Sequence, residues 1–413
     1  MADIAQSDSY SNNTSAKNIH LAEMPVAVIG YYIAFALYSI GALIQLTTFT
    51  SVLGISREAF VSGLNAVVVI LLIVKFITQR TSFIGWCAAV AIILIGFESW
   101  RHGNEGWFFW LALFVVCSDG IRLKPLAAIT LCIVAALTAA TLLCCSLGMI
   151  QNRLFTRAGV VRPAYGFKHP NYFGSCLLLI CACVSTLRFG RNPIPDMILI
   201  VFTMILNITY VDSRSSAFLS LFQIIFLLCF YCVRSVRKRR VLSIVFLVGV
   251  GAVIFISLYL MANYDSSNVV HRGLNSLLSG RFNLAHSYYS MQPLTLFGDD
   301  FSGFAPIYWE LGEPATFLVD NAFCHLVLRY GVVSAALFFA GYFGTLIHII
   351  HNGEWDALLF GLVLMTIYGL GETLGIRIEC NFFLVAMGPQ LLFQNSSLLK
   401  KDGSVGKAGK INP

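Results

Sequence analysis

Along the chain, a polar stretch of 23 residues gives way to long apolar runs separated by short polar gaps. The runs lie near 25–49, 59–77, 82–98, 106–118, 125–149, 171–187, 194–211, 215–233, 241–261, 321–349, 357–375 and 380–395. A helix needs roughly 20 apolar residues to cross a bilayer, and several of these runs fall short of that length. The pattern predicts an all-α, polytopic integral membrane protein with about twelve transmembrane helices. One large polar loop, 262–320, interrupts them, and polar tails at 1–23 and 396–413 flank a membrane domain at 24–395.

Composition sharpens the picture. Hydrophobic residues make up 58% of the chain and charged residues 11%, against about 25% charged in soluble domains. Mean hydropathy is +0.79, so so much apolar surface calls for lipid. The net charge of +7 points to topology rather than nucleic acid, because the basic residues sit in the gaps between runs. The twelve cysteines fall almost wholly inside apolar runs, Cys144, Cys145, Cys181 and Cys183 among them. They read as small embedded hydrophobes rather than a disulfide framework or metal site.

The densest basic cluster, Arg234, Arg237, Lys238, Arg239 and Arg240, belongs in the cytoplasm by the positive-inside rule. Alternation then places Lys75/Arg80, Arg122/Lys124, Arg188/Arg191 and the Lys-rich C-terminal tail on the same side. Both termini are expected in the cytoplasm, and the loops near 50–58, 99–105, 150–170, 212–214, 262–320 and 376–379 outside. The first 23 residues lack the pattern of a cleavable signal peptide.

One outer loop breaks the charge rule. Between Ile150 and Asn171 stand Arg153, Arg157, Arg162, Lys168 and His169, with no carboxylate between Asp119 and Asp196. An anion site would explain them; so would acidic lipid headgroups, or pairing with the acidic 262–320 loop. Arg153 and Arg157 are four apart and would share a face if the preceding helix continued outward. Arginine suits phosphate because its fork binds two oxygens at once. His169 is a candidate acid/base group or diphosphate ligand, or a structural residue beside Pro170, and Gly166 and Gly174 permit close backbone approach. The tight Asp212-Ser213-Arg214-Ser215-Ser216 turn leaves almost no room for a loop, so its Arg–Asp pair is expected inside protein or facing a watery cavity. Glu372 lies in apolar sequence, which points to function or to pairing with Arg377. No metal motif has good ligand spacing, adjacent Asp299 and Asp300 being weak on their own.

Taken in order, Arg162…Gly166…His169-Pro170-Asn171…Gly174, the Asp212–Ser215 turn, Gly280-Arg281 with Leu296-Phe297-Gly298, and Asp320-Asn321 nine residues before Gly331 resemble the O-antigen ligase and polymerase superfamily. The likeness covers approximately 150–390 and is greatest to Wzy-type polysaccharide polymerases. Asp320 stands where the ligases carry their His, which favours polymerase over ligase. The resemblance implies an inner-membrane enzyme that joins polyprenyl-diphosphate-linked oligosaccharide repeats on the outer face, as in O-antigen, capsule or exopolysaccharide synthesis. It implies metal-independent glycosyl transfer without a cofactor. Arg153, Arg157, Arg162, Asn171, Arg214, Arg281, Asn321 and Arg377 would bind substrate, and His169, Asp320 or Glu372 would act as the base. Partners would be the lipid-linked glycan, membrane lipids, a flippase and a chain-length regulator, with no nucleic acid. Ligase-type transfer and a lipid-linked glycan flippase are the alternatives.

Overall fold

The computed structural model describes residues 25–51, 57–79, 81–157, 159–233, 235–301, 319–354 and 356–392. The expected tails at 1–23 and 396–413 lie outside these residues, as do Arg80 and Arg234 of the basic gaps. The protein is an all-α, multi-pass membrane protein. Among the described residues, nine helices are long and apolar enough to cross a bilayer. They are α1 (Val26–Leu43, extended by a 3-10 turn to Leu46), α2 (Arg57–Thr78), α3 (Phe83–Gly103), α5 (Leu123–Ser146), α6 (Pro170–Arg188), α7 (Ile194–Leu206, continuing as a π turn to Val211), α8 (Arg214–Cys232), α9 (Val236–Asn263) and α12 (Ala322–His351).

Three of the expected spans take another form. α4 (Trp107–Val116) has 10 residues and α13 (Ala357–Gly369) has 13. At 1.5 Å per residue they reach about 15 and 20 Å, short of the roughly 30 Å hydrocarbon layer. Nearly every residue of α13 is buried against other helices, so its all-round apolarity reflects a position inside the bundle rather than contact with lipid. Beyond it the chain is irregular, with 3-10 turns at Thr373–Ile376 and Phe382–Ala386 before the short α14 (Met387–Leu392). Non-helical backbone is tolerated at membrane depth only where protein or a cavity covers it. Residues 374–387 are buried throughout.

The helix expected at 125–149 stops at Ser146, and Gly148 turns the chain with φ +71. A β hairpin follows: β1 (Leu154–Arg157) pairs antiparallel with β2 (Val160–Pro163), Phe155 facing Arg162. Arg153 and Arg157 therefore do not share a helical face. The hairpin's return segment is tied to the end of α1, where Thr48 N donates to Gly166 O at 2.9 Å and Lys168 N to Leu46 O at 2.9 Å.

The large polar loop is in good part helical. α10 (Val269–Leu277) and α11 (Arg281–Met291) form a hairpin, and α11 buries Phe282, Ala285 and Tyr288. α12 is broken at Gly331, whose φ of 86° and ψ of 170° are non-helical. The break exposes amides that would otherwise lack partners. The chain at 295–296 supplies them: Val332 N donates to Thr295 O at 3.0 Å and Val333 N to Leu296 O at 3.1 Å. Gly298 lies so close to the main-chain oxygen of Arg329 that an added Cβ would sit 2.0 Å from it.

Candidate functional site

At one end of the bundle the N-termini of α6 and α12, the start of α11 and the segment after α13 converge, and polar side chains from all four meet. Asn171, in the first turn of α6, donates Nδ2 to Glu372 Oε1 at 2.8 Å. Arg281, the first residue of α11, reaches the same oxygen at 3.4 Å and Asp320 Oδ2 at 3.5 Å. Two carboxylates thus share one guanidinium. Glu372 lies three residues beyond the end of α13; burial first and the neighbouring Asp320 second push its carboxyl up to about 8, against Arg281 and Asn171. Burial likewise raises Asp320, opposed by Arg281 and His325. One cation cannot hold both acids ionised in so little water, so the pair keeps a proton into the neutral range. Such an acid pair can accept or donate a proton at working pH.

Arg162 is buried beside this group and its role differs from the sequence expectation. It is not without a local acid: Nε stands 3.3 Å from Asp212 Oδ2. Its Nη2 donates to the carbonyls of Asp212 at 2.9 Å and Val211 at 3.3 Å, and to Asn171 Oδ1 at 3.2 Å. The carbonyls belong to the end of the α7 π turn, where helical partners run out, so Arg162 caps that end while orienting Asn171. Asp212 adopts φ 49, and Gly174 of α6 packs against this corner with room for no Cβ: an added one would lie 2.7 Å from Asn207 Oδ1 and Ser213 Cβ. Arg214, expected to be enclosed with Asp212, is instead 73% exposed, its Nε 3.9 Å from Asp212 Oδ1. Asp212 is held mainly by Arg162 because the hairpin delivers that guanidinium from 50 residues upstream, a proximity that sequence order conceals.

The remaining expected residues fall into place as follows. His169 is the N-cap of α6; its Nδ1 accepts from Asn171 N at 3.2 Å and its ring meets Phe155 at 4.9 Å. Asn321 is fully buried and N-caps α12, Oδ1 accepting from Phe323 N and Cys324 N, while Nδ2 donates to Ser257 Oγ at 3.0 Å. Arg153 is half-buried beside β1, its carbonyl accepting from Ala164 N at 2.8 Å. Arg157 ends β1, its side chain lying outside the described residues. Arg377 does not pair with Glu372. It binds the fully buried Glu379 at 2.5 Å and lies 3.8 Å over the Trp107 ring. A two-residue spacing on irregular backbone lets Arg377 and Glu379 meet, whereas Glu372 is drawn to Arg281.

A neighbouring group went unremarked in the sequence. Glu105, between α3 and α4, accepts from His325 Nε2 at 2.8 Å and from Tyr330 Oη at 3.2 Å. Arg329 lies 3.7 Å from the same carboxylate and 3.0 Å from Asp300, which also takes a hydrogen bond from Asn104. Burial alone would raise Glu105, but His325, through charge and hydrogen bond, and then Arg329 hold its carboxyl below the usual range. Trp107 joins the two groups, stacked on His325 at 5.8 Å with Arg377 over its ring. The signal that could have revealed them is the one that flagged Glu372: His325 and Arg329 are ionisable groups in an apolar run, four apart and so on one helical face.

No family model, curated protein or solved structure matches this chain. Among the described residues, no three His, Cys, Asp or Glu side chains converge closely enough to cage a metal ion. The twelve cysteines are free.

Proposed function

We propose that the protein is a glycan polymerase that moves a growing chain from its polyprenyl diphosphate to a sugar hydroxyl of the next lipid-linked repeat, on the outer face of the cytoplasmic membrane. The observation that carries this reading is the meeting, at one end of the bundle, of Asn171, Arg281 and Asp320 from three separate sequence motifs with Glu372, the acid in apolar sequence. A diphosphate leaves readily once its charge is stabilised, and the enzyme has then to orient the acceptor and take its proton. In the proposed step the acceptor oxygen bonds to the anomeric carbon, the bond from that carbon to the diphosphate breaks, and the hydroxyl proton passes to Glu372 or Asp320. Arg214, exposed at the same corner, and Arg281 are the guanidiniums placed to meet the diphosphate. Arg162 and Arg377 are themselves buried and paired with acids, Asp212 and Glu379, and act as positioning residues. The transfer needs no metal in this scheme, and a flippase and a chain-length regulator are its natural partners.

The test is a deletion strain together with purified protein given lipid-linked repeats in detergent. Single-repeat glycan should accumulate in the strain, and the protein should polymerise repeats in excess EDTA. Activity lost to chelator and restored by magnesium would overturn the metal-free scheme.

A flippase for the same lipid-linked glycan is the second reading, favoured by the break in α12, since transporters often bind cargo at discontinuous helices. Here, however, the amides freed at Gly331 are taken by the chain at 295–296, and the charged groups gather at one end of the bundle. Transport of labelled glycolipid across vesicles without any change in glycan length would favour the flippase.

A further inference from the structure

We infer that α10 is an interfacial helix, its apolar face seated at the boundary between lipid headgroups and acyl chains on the side of the membrane that carries the Arg281 cluster. At 100° per residue Val269, Val270, Leu274, Leu277 and Leu278 gather on one side of α10, and His271, Arg272 and Asn275 on the other. No residue of α10 is buried, and Val269, Val270 and Leu277 are 73, 66 and 81% exposed.

The protein holds this helix by its polar side. Asn275 Oδ1 accepts from Phe282 N and Asn283 N of α11, both at 3.0 Å. His271 Nδ1 accepts from Asp265 N at 3.0 Å, and its ring stacks on Tyr264. Val269, Val270 and Leu277 are therefore turned away from the bundle, while Leu274 and Leu278 at the edge of the apolar side are half-buried.

Lipid is the occupant that continuity favours. α10 begins at Val269, just after α9 ends at Asn263, so it starts at the height where that span leaves the membrane. The flank of α9 leading there is itself apolar and exposed at Val248, Phe255 and Tyr259. Tyr259 and Tyr264 near its end are the residue type that settles at membrane interfaces, and His271 packs against both. A helix with a strongly apolar face opposite a polar one lies in the interface plane.

The seat matters for the neighbouring cluster. Arg281 Nη1 donates to the carbonyl of Leu278 at 3.2 Å, across a joint made by Ser279 and Gly280 in left-handed conformations. The depth of α10 thereby sets the depth of Arg281, near the level of lipid headgroups. Only this consequence rests on the proposed function; the seating of the helix does not.

The test uses the full chain in phosphatidylethanolamine/phosphatidylglycerol nanodiscs, with a fluorescent non-natural amino acid in place of Leu277, Val270 or Arg272 in turn. Folded preparations are those that unfold at the wild-type temperature. The probes replacing Leu277 and Val270 should be quenched several-fold more by lipids spin-labelled near the headgroup than the probe replacing Arg272, and several-fold less by aqueous iodide. Equal iodide quenching at all three positions would overturn the proposal by showing a solvated helix. Protection of Leu277 and Val270 from both quenchers would overturn it by showing that protein covers the face. With two independent positions on the apolar side, misfolding of one variant leaves the other to decide.

Discussion

Among single residues, Arg162 and Arg214, both expected from the sequence to bind substrate, are set to different tasks. Arg162 serves two carbonyls, one carboxylate and one amide, and a lysine ammonium cannot reproduce that fork. Arg162→Lys should lower stability by on the order of 2 kcal/mol, read as a fall in the thermal unfolding midpoint in detergent. Arg214→Lys, at an exposed position, should shift stability by less than about 0.5 kcal/mol, yet shorten or abolish polymer if this group meets the diphosphate. Equal unfolding temperatures for the two variants would refute the division of roles. Glu372 gives a pH test with opposite slopes for stability and turnover. Its carboxyl is raised in the folded protein from an ordinary value of 4.5 to about 8. The protonated acid therefore favours folding at low pH, and that contribution is lost as pH rises from the ordinary value through the raised one. The unfolding midpoint should fall over this window, and Glu372→Gln should flatten the fall. Turnover that uses ionised Glu372 as base should climb over the same window and be lost in Glu372→Gln. A turnover profile already flat above pH 6 would exclude Glu372 as that base.

For the secondary-structure elements, the instructive cases are those that stop where hydrophobicity would have let them continue. Gly331 breaks α12 and the 295–298 strand of chain fills the break, so two motifs far apart in sequence are one feature in space. An alanine at 331 would be forced to φ 86° and ψ 170°, a conformation reached essentially by glycine alone, at a cost of about 1–3 kcal/mol. Its Cβ would also fall 2.3 Å from Gly298 N and 2.4 Å from Leu296 O. Gly331→Ala should thus cost at least about 2 kcal/mol and raise hydrogen exchange at Val332 and Val333. Wild-type protection at those amides would show that the break is not held in this way. Gly174→Ala should act similarly by pushing α6 from the Asp212 corner, with a lowered unfolding temperature as its readout.

For the whole molecule, two helix-end contacts lie away from the proposed site. Thr81 bonds the carbonyl of Leu392, and Arg122 N donates to Tyr32 Oη, at the end opposite the Arg281 cluster. The charge rule assigns that first end to the cytoplasm. Residues engineered in 150–170 and in the α10–α11 hairpin should react with a membrane-impermeant reagent in intact cells. Protection of either region until lysis would place the proposed site on the wrong side for polymerisation.

The membrane class and the positions of the long spans were legible in the sequence. Hydropathy sums over neighbours in the chain, and a bilayer responds to that sum. Burial inside the bundle was not legible, because an apolar run reads alike whether it faces lipid or other helices. For that reason α4, α13 and the irregular stretch after α13 looked like ordinary spans. The candidate residues Arg162, Asn171, Arg281, Asp320 and Glu372 were named from local motifs, but which acid holds which arginine depends on contacts between residues tens to hundreds of positions apart. Glu372 joins Arg281 rather than Arg377, and Arg162 joins Asp212, because tertiary packing chooses partners by distance in space. The Glu105–His325–Arg329 group shows the same cause: the apolar run marks His325 and Arg329 as ionisable groups out of place, but their joining to Glu105 is decided only where the α3–α4 turn meets α12.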